Sequence, residues 1–312
     1  MSNLLSITDL SVEDIRHILD LSAQYSQPTS QLQGKNIVFA FEKPSLRTKV
    51  ATEVAINQLW GNVIHLEPHI FYGGKVISVP HPDNHQDSRE TLKDTVKNVN
   101  EWCDALFARV FSHQTLLDIA SYSDLSLINA LCDQHHPMQA ITDLYTIREI
   151  YGEAKTQVAF VGDSNNVAFS LAEILLKCGH DVRIASPDGY GFSPIRKMYL
   201  EELAAKNGAN ILLTQDPFAA VKGTDIIYAD TFVSMGEEHL YDEKVTHFAQ
   251  YQVNEQLMDS TGKKTHFMHC LPAHRGIEVT DAVIDSTSSL VYRQAKNRMV
   301  TARGVFLKIF WY

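Results

Sequence analysis

"KNIVFAFEKPSLRTKVATEVAINQLWG", residues 35–61, runs from an apolar stretch through a polar corner into a helical pattern. The stretch "KNIVFAF" reads as a strand, and Pro44 stops it because proline has no N–H for a sheet ladder. Ser45 is a good helix N-cap, and "LRTKVATEVAINQLWG" reads as a helix closed by Gly61. Arg47 and Lys49 then sit on the first helical turn, where the dipole favours acids. Two readings fit: an anionic ligand completes the corner, or a capped helix carries two solvated bases.

The same strand-then-helix unit recurs along the chain. "NVIHLE" precedes "TLKDTVKNVNEWC", "DALFARVF" precedes "HQTLLDIASYS", and "LSLINAL" leads into "PMQAITDLYTIREIYG". A second series follows: "TQVAFVGD" with "NVAFSLAEILLKCG", "HDVRIASP" with "SPIRKMYLEELAAKNGA", "NILLTQD" with "PFAAVKGT", then "DIIYADTF" and "THFMHCLP". Alternation twice over predicts an α/β protein with two doubly wound, mainly parallel-sheet domains joined by helices. The helix over 137–151 is the expected bridge, and the C-terminal helix in "QAKNRMVTARGVFLKIFW" is expected to return to the first domain. An amphipathic helix is expected after Ser11, and a long loop at 72–88, rich in Gly, Pro, Asn and His.

A chain of 312 residues with a formal net charge of −10 has ample core but no general basic surface for nucleic acid. No apolar run is long enough to span a bilayer, and the first residues lack the basic start of a signal peptide. Cys103, Cys132, Cys178 and Cys270 show no CxxC pairing and read as reduced, mostly buried thiols of a cytoplasmic protein.

Ligands of open α/β sheets collect at the carboxyl ends of strands. Those ends here carry cations, amides, hydroxyls, one acid and one thiol. The turn "GDSNNV", residues 162–167, lacks the further glycines of a dinucleotide site, and no P-loop is present. In "HFMHC", strand alternation puts His266 and Cys270 on one face and His269 on the other, against a metal cluster. Cys270 shows no thiolate-activating partner by spacing. His136–Pro137 could simply start a helix, and Asn165 and Asn166 could only be caps.

Taken in order, "SLRTK", "HPMQ", "GDSNNV", "DTFVSMGEE", "HCLPAHRG" and "QAKNR" strongly resemble the ornithine carbamoyltransferase family, within the aspartate/ornithine carbamoyltransferase superfamily. The resemblance spans nearly the whole chain, and S-M-G with H-C-L-P points to the ornithine branch. It implies transfer of a carbamoyl group from carbamoyl phosphate to L-ornithine, giving L-citrulline and phosphate, as in arginine biosynthesis. It implies no cofactor, no metal, and a homotrimer or a multiple of trimers. Residues 1–136, with a C-terminal helix from about 295 to 312, would bind carbamoyl phosphate, and residues 137–294 would bind ornithine. Carbamoyl phosphate contacts carry over to Ser45, Leu46 through its backbone, Arg47, Thr48, Arg109, His136, Gln139, Cys270, Leu271 and Arg298. Ornithine contacts carry over to Asn166, Asp230, Ser234 and Met235. Arg109, His136, Asp230 and Cys270 form the implied catalytic set. The anion missing from the opening corner would be the phosphate.

Departures from the family pattern are local. Leu46 and Lys49 stand where S-T-R-T-R is commonest, and S-L-R-T also occurs in acetylornithine and succinylornithine relatives. Arg293 and Lys296 stand where acids are usual. Carbamoyltransferases for N-acylated ornithine or putrescine, or a non-catalytic paralogue, are the alternatives. Intact Ser234-Met235-Gly236 favours free ornithine.

Overall fold

The computed structural model describes residues 3–24, 28–72, 90–234 and 236–311. The chain divides into two compact units, Met1–Met138 with Arg298–Tyr312, and Gln139–Asn297.

The first unit carries strands β1 (Asn3–Leu4), β2 (Asn36–Phe41), β3 (Asn62–Leu66), β4 (Ala105–Arg109) and β5 (Ser126–Leu131). Their order is β1-β5-β4-β2-β3, and every pairing is parallel. Alternation along the strands divides the core into two faces. Val38, Ala40, Leu106, Ala108 and Leu127 pack with Val96, Val99, Leu116 and Ile119 from helices Leu92–Trp102 and His113–Tyr122. On the other face, Phe107 meets Phe306 of helix Val291–Trp311 at 6.1 Å between ring centroids. That helix is therefore part of the first unit's core from Arg298 onward, as expected. Lys308 pairs with Asp14 at 2.9 Å, and that hydrogen bond is the main force holding the Asp14 carboxyl down at about 2.

The second unit carries β6 (Gln157–Val161), β7 (Asp181–Ala185), β8 (Ile211–Thr214), β9 (Ile226–Ala229) and β10 (His266–His269). Their order is β10-β9-β6-β7-β8, again all parallel. Ala159, Val161, Ile227, Ala229 and Phe267 pack with Ala220, Val221, Leu257 and Val283 on one face. On the other, Phe160 stacks on Tyr228 at 5.6 Å, and the Tyr228 hydroxyl reaches helix Pro137–Tyr151 by donating to Asp143 at 2.9 Å.

Each sheet has a point where strand order reverses: between β2 and β4 in the first, between β6 and β9 in the second. Crevices open at the carboxyl ends of strands at such points. At the first, Phe41 is in register with Arg109. At the second, Asp163 to Asn165 leave β6 and Asp230 leaves β9.

One expectation needs correction, and one strand has no sequence signal. The two-residue strand β1, paired to β5, went unread because so short a run has no detectable period. Of the four free cysteines only Cys132 is fully buried; Cys103, Cys178 and Cys270 are partly exposed. The helix after Ser11 is present as Val12–Gln24. The loop read at 72–88 lies outside the described residues apart from Tyr72.

Candidate active site

In the first unit the opening corner forms as its local chemistry dictates. Helix Leu46–Gln58 starts at Ser45, whose Oγ accepts from Thr48 N–H at 3.3 Å. Thr48 is buried, and its Oγ1 accepts from Arg298 Nη2 at 2.7 Å. Arg109 ends β4 at a register shift: Ala108 pairs with Asn129, but Arg109 pairs with Leu131. Such a bulge re-aims the side chain at a strand end. The Arg109 carbonyl accepts from Glu42 N–H at 2.8 Å, tying the two neighbouring strand ends together.

His136, Arg109 and Arg298 are all buried. The His136 imidazolium is disfavoured first by burial, then by Arg298 and Arg109, so its pKa lies well below the usual histidine value. The ring is neutral at physiological pH and can donate from one nitrogen. Lys43 is a further cation here, also buried, with its ammonium 4.5 Å from the centroid of Phe111. Burial first and then Arg109 lower its pKa, and the nearby acids Asp133 and Glu42 offset part of that shift. Crowding like charges at one buried corner is unfavourable unless an anion joins them. Sequence reading missed Lys43 because a lysine before Pro44 looks like a solvated loop residue. Leu46 is 73% exposed, leaving its backbone as its polar offering.

In the second unit Asp230 is the hub. Cys270 Sγ donates to its Oδ1 at 2.9 Å, Thr231 N–H to the same oxygen at 2.8 Å, and Asn165 Nδ2 to its Oδ2 at 2.8 Å. Asn165 also caps helix Asn166–Lys177, its Oδ1 accepting from Val167 and Ala168 N–H. Asn166 is the first helical residue. Ser234 N–H donates to Glu237 Oε2 at 3.1 Å; Met235 lies outside the described residues.

Strand alternation failed at "HFMHC". Strand β10 ends at His269, and Leu271 turns the chain with φ 58°, a left-handed conformation. Ligand atoms of Asp230, His269 and Cys270 consequently lie within 4.8 Å of one another. The His269 ring is already engaged at both nitrogens: Nδ1 accepts from Leu271 N–H at 2.9 Å, and Nε2 lies 3.2 Å from the buried Glu278 Oε1. Its lone pair therefore supports the turn that carries Cys270 and Leu271.

Gln139 belongs to the second unit and donates to Asp143 Oδ1 at 2.8 Å. Gln294 donates to the same oxygen at 2.9 Å, and its own Oε1 accepts from His269 N–H at 2.9 Å. Asp143 thus links Gln139 to the strand that delivers Cys270, a role without a sequence signal, since Asp143 reads as one more polar helix residue. Arg293 pairs with Glu149 at 3.2 Å.

Two family models divide the chain. The carbamoyl-P binding domain of aspartate/ornithine carbamoyltransferases matches residues 2–149, and their Asp/Orn binding domain matches residues 154–309. The chain belongs to the aspartate/ornithine carbamoyltransferase family. An ornithine carbamoyltransferase of Bacillus subtilis (strain 168) is 38% identical to this family member, over 99% of this chain and 94% of that protein. One from Hyperthermus butylicus is 40% identical, over 98% and 96%. The solved structure of ornithine carbamoyltransferase from Pyrococcus furiosus superposes with a TM-score of 0.89 at 37% identity, covering 99% of this carbamoyltransferase chain and 96% of its own.

Proposed function

We propose that this chain transfers the carbamoyl group of carbamoyl phosphate to the δ-amine of L-ornithine, yielding L-citrulline and phosphate. The observation that carries the reading is the buried Asp230, held by Cys270 and Asn165 at one switch point, in a chain whose other switch point concentrates buried cations.

Residues of the first unit take the phosphate: Ser45, Leu46 N–H, Arg47 and Thr48 at the helix start, with Arg109 and Arg298. Phosphate gains charge as it leaves, so fixed cations stabilise the transition state more than the ground state. Arg109, neutral His136 and the Thr48 hydroxyl donate to the carbamoyl oxygen as it becomes an oxyanion. Gln139 and the Leu271 carbonyl hold the carbamoyl amide. In the second unit Asn166, Ser234 and Met235 hold the amino-acid end of ornithine, while Asp230 orients its ammonium and Cys270 lies toward the δ-amine.

The δ-ammonium must lose a proton before its nitrogen can attack. The neutral amine adds to the carbonyl carbon, the C–O bond to phosphate breaks, and the proton shed by nitrogen passes to the departing phosphate. The chain's work is orientation and electrostatics.

Assembly follows the same reading. Leu46, Val50 and Val54 form an exposed apolar stripe, 73%, 49% and 37% exposed, along one helix. A second copy of the chain covers it in the proposed homotrimer. Four free cysteines suit the reducing cytoplasm, where we place the protein.

The test is citrulline or ureido-product formation from carbamoyl phosphate with ornithine, acetylornithine, succinylornithine, putrescine and aspartate offered singly. Turnover is expected with ornithine. Preference for an acylated ornithine or putrescine would transfer the reading to that substrate.

A further inference from the structure

We infer that Lys43 is a modification site: when no acceptor amine is present, its Nζ takes the carbamoyl group of bound carbamoyl phosphate. The inference rests on the proposed function and adds a side reaction at the same phosphate corner. Lysine and ornithine end in the same primary amine and differ by a methylene in the stem. A donor poised to react with one is chemically competent toward the other.

The placement comes from the first unit alone. Lys43 lies between the end of β2 at Phe41 and the helix N-cap Ser45, where the proposed phosphate contacts begin. Its neighbour Glu42 is tied to the end of β4 twice. Glu42 N–H donates to the Arg109 carbonyl at 2.8 Å, and Glu42 Oε2 accepts from Phe111 N–H at 2.6 Å. Lys43 is thereby held at the first switch point, 8% exposed, with its Nζ 4.5 Å from the centroid of the Phe111 ring. The charged and titratable groups that face it are Arg109, Asp133, Glu42 and Cys132. Both acids are engaged elsewhere: Glu42 on Phe111, and Asp133 Oδ1 accepting from His113 N–H at 2.6 Å.

A protonated amine has no lone pair to give. Burial first, then Arg109, draw the Lys43 pKa below its ordinary value against the partial offset of the two acids, which enlarges the neutral fraction. Its flexible four-carbon stem gives the nitrogen reach within the corner. The step balances as the main reaction does. The Nζ lone pair adds to the carbamoyl carbon, the C–O bond to phosphate breaks with its electron pair on phosphate, and the proton shed by nitrogen passes to that phosphate. Lys43 is left as a neutral ureido side chain. The corner then holds one cation fewer and grips the next phosphate less tightly. Donor that accumulates without an acceptor would in this way slow the chain that binds it.

The test incubates the full chain with carbamoyl phosphate and no amine, and follows carbamoylation of individual lysines by peptide mass spectrometry. Parallel arms contain carbamoyl phosphate with excess inorganic phosphate, and cyanate alone, the breakdown product of the donor. Lys43 should be carbamoylated on the order of tenfold faster than the exposed Lys49, the advantage of a donor bound alongside. Excess phosphate should protect Lys43 and not Lys49. In the washed enzyme the KM for carbamoyl phosphate should rise with the fraction of Lys43 modified. Lys43→Arg keeps a cation but offers no nucleophilic nitrogen, so it should lose that time-dependent rise. An unmodified Lys43 in a chain that makes citrulline overturns the inference alone. Equal rates at Lys43 and Lys49, or labelling by cyanate as fast as by carbamoyl phosphate with no protection by phosphate, also overturn it. If Lys43 is labelled and phosphate-protected in a chain that yields no ureido product from any amine offered, the functional reading falls and the modification site stands.

Discussion

Arg298 and Thr48 stand 250 residues apart in the chain, and the guanidinium of one donates to the hydroxyl of the other at 2.7 Å. The bond fixes a buried cation on the first turn of a helix, where it adds to the positive dipole end. Arg298→Met should raise the KM for carbamoyl phosphate about 10- to 100-fold, the range of a lost charged hydrogen bond. Thr48→Val should do less, because the guanidinium stays. Initial rates at varied carbamoyl phosphate check both, and an unaltered KM for Arg298→Met would remove Arg298 from the phosphate site.

The neutral state of His136 makes a prediction about acid stability. Its folded pKa lies below the unfolded value, chiefly through burial. As pH falls below about 6.5, the unfolded chain takes up a proton that the native ring refuses, so stability falls. His113, His180 and His266 are shifted the same way, again mainly by burial. The urea midpoint should therefore drop between about pH 7 and pH 5.5, and His136→Gln should flatten part of that slope. A slope unchanged by His136→Gln would show that His136 protonates freely in the folded chain.

Asp143 accepts from Gln139, Gln294 and Tyr228 with no exposure to solvent. Asp143→Asn puts an N–H where a donor already points and removes the charge that holds all three. It should cost about 2–4 kcal/mol of stability, by analogy with other broken buried polar networks. Chemical denaturation measures this. The freed Gln139 should also lower kcat in whatever fraction stays folded.

The roles proposed for Asp230 and Cys270, joined at 2.9 Å, separate binding from chemistry. Asp230→Asn should weaken ornithine binding far more than carbamoyl phosphate binding. Cys270→Ala should lower the rate without abolishing it, because departing phosphate still accepts the proton. An amine of pKa about 10.4 is mostly protonated near neutrality, so the rate at subsaturating ornithine should climb with pH through the neutral range. A flat profile there would falsify selection of the neutral amine.

Much of this molecule is legible in its sequence, and the reason is locality. A strand ended by Pro44 and a helix capped by Ser45 are decided within a dozen residues, as is the helix begun by Pro137. What stayed hidden depends on distant packing or on a single backbone angle. Lys244 looks like a solvated helix residue until Asp163, 81 residues earlier, is brought against it. Asp143 is decided by Gln294, 151 residues later. Cys270 turns toward Asp230 because the strand ends at His269 and Leu271 is left-handed, which no alternation rule anticipates.

The first unit is made of two chain segments, Met1–Met138 and Arg298–Tyr312, with Gln139–Asn297 between them. During synthesis on a ribosome the middle unit emerges whole, whereas the first waits for residues translated long after its own sheet. Those residues bring Phe306 onto Phe107 and Arg303 onto Gln58 at 2.7 Å. They also bring Gly304 so close to Ser22 that an added methyl would lie 2.1 Å from its hydroxyl oxygen. Arg298 arrives with the same segment. A nascent chain can therefore complete its middle unit early, but it gains Arg298, a proposed phosphate ligand, only with the last segment, and a message cut upstream of codon 298 lacks the residues that complete the first unit's core.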